Sequence, residues 1–71
     1  MRLDIRPRVL AALTPEPSTA TEIAERAGLP GRERAMHAAR ALVRLEADGL
    51  ALSETRRHVT RWKAADTTRH S

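Results

Sequence analysis

At Gly49 the spacing of apolar residues changes, and this change limits the folds open to the chain. Before it, apolar residues recur every three or four positions, the period of a helix. After it they recur at every second position, the period of a strand. The order is therefore helices first, then a small antiparallel sheet. In 71 residues only one small domain fits. A domain of that size buries only about 60% of the surface its unfolded chain exposes. With no cysteine, no disulfide can brace it, so helices and strands must share one core.

Three helices are expected. The first spans residues 4–13, with Ile5, Val9, Leu10 and Leu13 on one stripe, Asp4 as cap and Pro7 in the first turn, where a missing N–H is harmless. Thr14-Pro15-Glu16-Pro17 stops it. The second opens on a capping box, Thr19 with Glu22 three residues on, and ends at Gly28, the residue that adopts the left-handed conformation cheaply. Its apolar stripe is Ile23, Ala24 and Ala27. Ser18 and Thr19 form a very short strand before it, and Leu29 is a buried turn residue. The third helix spans 32–47, with Ala35, Ala38, Leu42 and Leu45 facing the core and Ala41 at the border. Met36, His37, Arg40 and Arg44 lie on its opposite side. Asp48-Gly49 marks the stop.

Two alternating runs then flank a polar tip, residues 55–58, and read as a β-hairpin. Leu50, Leu52 and Trp62 are its expected contributions to the core. The tip lacks an Asn-Gly or Asp-Gly signal, which leaves its length open. Residues 1–64 form the domain, and 65–71 read as a flexible polar tail.

Charge is uneven along the chain. The 13 basic residues exceed the 9 acidic ones by four, and all but one, Lys63, are arginine. Residues 1–31, 32–54 and 64–71 are each neutral. The whole excess lies in 55–63, where Arg56, Arg57, Arg61 and Lys63 meet no acid. Codon bias can supply arginines, but it does not clear acids from one segment.

Other classes are set aside. No run approaches the roughly 18 apolar residues of a membrane span. The charged N-terminus has no apolar core of the secretory kind, and the lack of cysteine fits the cytoplasm. His37, His58 and His70 share no metal-ligand spacing, no glycine-rich phosphate loop occurs, and so small a chain offers little room for a substrate pocket. A non-enzyme without metal, cofactor or small-molecule ligand is expected.

Two stretches carry a family resemblance: TATEIAERAGL at 19–29 and LVRLEADGL at 42–50. In this order, and followed by a basic hairpin, they resemble a winged helix-turn-helix DNA-binding domain of the bacterial and phage transcriptional repressor kind. The resemblance covers residues 5–64. It implies a mainly α fold with a small β-hairpin: helix, short strand, helix, helix, hairpin wing. One departure is visible. The interval from Gly28 to Leu45 is about one helical turn longer than in typical members. Either the third helix starts early or the loop around Pro30-Gly31 is longer.

The resemblance implies a small sequence-specific binder of double-stranded DNA that regulates transcription. Helix 32–47 reads the major groove, and the wing 55–63 contacts backbone or minor groove. Arg donates two hydrogen bonds to guanine, so Arg32, Arg34 and Arg40 are candidate readers. His37 can meet a base or a phosphate, Met36 a thymine methyl, and Arg44 a phosphate. Thr19 and Thr21, beside the free N–H groups of the second helix, can hold a phosphate. Arg56, Arg57, Arg61 and Lys63, on or beside the tip, suit phosphates and a narrow minor groove. Members commonly dimerise through helices beyond the wing. Only a polar tail follows here, which leaves a monomer or a homodimer through the first helix. The alternative function is a protein–protein module on the same fold, such as a phage accessory protein binding a host or polymerase component.

Overall fold

The computed structural model describes residues 4–65. They form three helices and a three-stranded antiparallel sheet: α1 (Arg6–Ala12), β1 (Ser18–Thr19), α2 (Ala20–Ala27), α3 (Arg34–Ala47), β2 (Ala51–Arg56) and β3 (Val59–Ala64). The sheet order is β1-β3-β2. β1 pairs through Ser18 with Trp62 and Thr19 with Arg61, so the two-residue strand ties the start of α2 to the hairpin. Of the expected tail, residues 65–71, the first is tied to the domain, the Ala65 amide donating to the Leu50 carbonyl (3.1 Å), and 66–71 lie outside the described residues.

Helix ends follow their local chemistry. At α2 the Glu22 amide donates to Thr19 Oγ1 (3.2 Å) and the Thr19 amide donates to Glu22 Oε1 (2.9 Å), a complete capping box. Gly28 closes α2 at φ 72°. At the end of α3, the Gly49 amide donates to the Glu46 carbonyl (3.0 Å) and the Leu50 amide to the Leu45 carbonyl (2.8 Å). That pair of bonds, around Gly49 at φ 80°, is a Schellman closure.

Two helix starts differ from expectation. α1 begins at Arg6, and its N-cap is Ile5 with no side-chain cap. Asp4 instead accepts from the Arg6 amide (3.1 Å) and from its guanidinium (3.2 Å), because Pro7 within the first turn removes a donor a cap would use. α3 begins at Arg34, not Arg32. Gly31, at φ 93°, turns the chain and leaves Arg32 and Glu33 in a turn, so the connection around Pro30-Gly31 runs on to Glu33 and the helix does not start early.

The core comprises Val9, Ala12, Leu13, Ile23, Ala24, Leu29, Ala38, Ala41, Leu42, Leu45, Ala51 and Trp62, with Ile5, Ala20, Ala27 and Ala64 packed against it. Leu10, expected on the α1 stripe, is exposed, and Ala12 is buried in its place. Ala35 is only half-buried, and Ala41 is fully in the core. The larger correction concerns the hairpin. Leu50 (37% exposed) and Leu52 (44%) do not line the core, whereas Ala51 (0%) and Trp62 (7%) do. Register explains it. Ser53 pairs with Trp62 and Ala51 with Ala64, so residues 51, 53 and 55 share Trp62's face. Leu52 is thereby turned outward, and Leu50 is taken up in the closure of α3. The small Ala51 side chain lets β2 lie close against α3.

Candidate nucleic-acid interface

The expected site residues fall into three groups. The first surrounds the connection before α3. Thr21, in the first turn of α2, shares a surface depression with Gly31, Arg32, Arg34 and Ala35. Thr19 lies at the same helix end, but its hydroxyl is engaged by the Glu22 amide. Arg34 is held toward α2 by Glu25, 3.5 Å away, which draws one candidate reader into an ion pair.

The second group lies along α3. At about 100° per residue, burial of Ala38, Ala41, Leu42 and Leu45 turns Met36, Arg40, Val43 and Ala47 outward. His37 and Arg44 lie on the flank toward α1. With Arg40 and Ala41 they line a groove closed on its other side by Asp4, Ile5 and Arg6. Arg6 is a base at this site that sequence reading missed, since nothing in the spacing of residues 6 and 40 brings them together. Its hydrogen bond holds the Asp4 carboxyl below its ordinary value, and Asp4 in turn raises the Arg6 guanidinium, with Asp48 adding a smaller pull. Both side chains are about half-exposed, so the pair is screened by water.

The third group is the hairpin. β2 runs on to Arg56, and the turn is only Arg57-His58, at φ 51° and 70°. Two positive φ values are the pattern of a type I′ turn, here without its usual Asn or Gly. Arg57 is thus at the tip itself and Arg56 beside it. Arg61 is beside the tip, where it lines a surface depression with Arg56, Arg57 and Val59, but Lys63 is not. Arg61 and Lys63 pair with Glu54 and Leu52, and Lys63 is four residues beyond Val59, about 13 Å along the strand. Both lie on the sheet face opposite Trp62, and Arg61 shares a surface hollow there with Pro17, Glu54, Arg56 and Val59. The core-side face of the hairpin is fixed by Thr55 and Thr60, whose hydroxyls lie 2.9 Å apart, and by Ser53, which donates to Glu46 Oε2 of α3 (2.8 Å).

Arg26 is another base the sequence did not single out. Its guanidinium donates to the Ala12 carbonyl (2.8 Å) and to Ser18 Oγ (3.4 Å), a structural role joining α1, β1 and α2. Among the described residues, no three His, Cys, Asp or Glu side chains converge as metal ligands, and no helix is long and apolar enough to cross a membrane. His70 lies outside the described residues. No protein-family model, curated protein or solved structure matches the chain.

Proposed function

We propose that residues 5–64 form a winged helix-turn-helix domain that binds double-stranded DNA and acts, without catalysis, as a small cytoplasmic transcription regulator. α3 enters the major groove, and the turn between β2 and β3 meets the flanking backbone. The observation that carries this reading is the acid-free segment 55–63, which brings Arg57 to an exposed turn with Arg56 beside it. Phosphates attract such cations and release counterions on binding. The element order, with β1 on the free edge of β3, supports the fold assignment. Arg32 and Arg40 are the base-reading or phosphate-binding side chains of α3 and its approach. Arg44 and His37 serve the backbone on the α1 side, and Thr21 with the free amides of α2 holds a phosphate. Arg61 and Lys63 add to the field that draws duplex in.

The test is an Arg56→Ala/Arg57→Ala double variant titrated with duplex over a range of salt. Two lost phosphate contacts should lower the log–log slope by roughly 1.8. An unchanged slope removes the wing from the interface.

The exposure of Met36 (44%) and Val43 (57%) favours a second reading, a protein partner docked on α3. Salt-sensitive binding of random duplex at low salt supports the first reading. No such binding, with a stable complex in a pulldown, supports the second.

A further inference from the structure

We infer, resting on the duplex-binding reading above, that the outward face of α3 recognises the methyl groups of two thymines in the major groove, about two to three base pairs apart. Met36 and Val43 make the contacts, and Arg40 lies between them.

The outward row of α3 is Met36, Arg40, Val43 and Ala47, and its two large apolar members are both exposed. A helix with its side chains is about 10–12 Å across, and the major groove is about 12 Å wide. Met36 and Val43 are seven residues apart, about 10.5 Å along the helix axis, and because a helix follows the inclined groove that length spans about two to three base-pair steps. Of the groups on the major-groove floor, the thymine C5-methyl is the apolar one, and it is what a thioether or isopropyl group can recognise there.

The charge around the row selects a groove as the occupant. Arg32 and Arg34 lie at its N-terminal end, and His37, Arg40 and Arg44 along one flank. The nearby acids are mostly turned to other partners: Glu25 pairs with Arg34, and Glu46 accepts from Ser53. Glu33 is exposed at the start of α3. An apolar strip with cations at its N-terminal end and along one flank complements methyl groups lying beside a rail of phosphate.

The test compares duplexes of about two helical turns, one dA·dT and one dA·dU, which lacks only the C5-methyl groups. The full chain and a Met36→Ala/Val43→Ala variant are titrated with both at low salt. Both substituted side chains are exposed, and circular dichroism checks that the variant keeps its helices. The wild-type chain should bind dA·dT more tightly, by roughly fourfold for each of the two methyls contacted. The variant should bind both duplexes alike, near the wild-type level for dA·dU. Equal wild-type affinity for the two overturns thymine recognition and leaves duplex binding standing. A thymine preference kept by the variant overturns the assignment to Met36 and Val43. Binding to neither duplex overturns the duplex reading itself, and thymine recognition with it.

Discussion

Arg26 shows how a single side chain can matter for reasons unrelated to its charge on the surface. It is one of many arginines, yet its guanidinium caps the last buried turn of α1 at the Ala12 carbonyl and reaches buried Ser18. A charged hydrogen bond of this kind contributes about 1.5–3 kcal/mol. Arg26→Ala should therefore lower the free energy of unfolding by about that amount, read from the urea midpoint at constant m. Arg26→Lys should recover only part of it, since an ammonium lacks the fork that spans both acceptors. Unchanged stability in Arg26→Ala would mean that water serves the Ala12 carbonyl as well. The role was not legible in the sequence because it joins residues 14 apart across a turn. Gly28 and the Thr19–Glu22 box, by contrast, act within a few residues of themselves, and both were legible.

At the scale of elements, the hairpin combines a strained turn with a dense charge. Arg57 and His58 hold positive φ, a conformation that costs a non-glycine residue of order 1–3 kcal/mol. Asn-Gly would relieve that strain. Arg57→Asn/His58→Gly should raise the thermal midpoint, while losing Arg57 should reduce the salt slope of duplex binding by about 0.9. A variant that is stabilised but binds with an unchanged slope would show that Arg57 meets no phosphate. The sequence revealed that a hairpin exists, through its twofold period, but not how short its turn is. Strand parity was also hidden. Leu50 and Leu52 carry more apolar surface than Ala51, and only the pairing of Ser53 with Trp62 fixes which of them faces the helices. The start of α3 was misplaced for a related reason: Arg32 and Glu33 suit a helix well, and the turn imposed by Gly31 overrides their preference.

For the whole molecule, folding reorganises the linear charge pattern. Of the cations of 55–63, Arg56, Arg57 and Arg61 gather around the tip, whereas strand length carries Lys63 away along the outer sheet face. Those of α3 separate: Arg34 turns to Glu25 of α2, Arg44 lies on the flank toward α1 beside Arg6, and Arg40 borders both that flank and an outward row that is otherwise apolar. Which residues were basic was thus legible, but which of them can meet one surface together was not. The most direct test of the account is a titration of the isotopically labelled full chain with duplex DNA of about two turns, followed by amide chemical shifts. Saturable changes should concentrate in residues 32–47 and 55–59 and at the start of α2, with residues 9–13 unmoved. Changes confined to α1 or to the outer face of the sheet, or no saturable change at low salt, would contradict it.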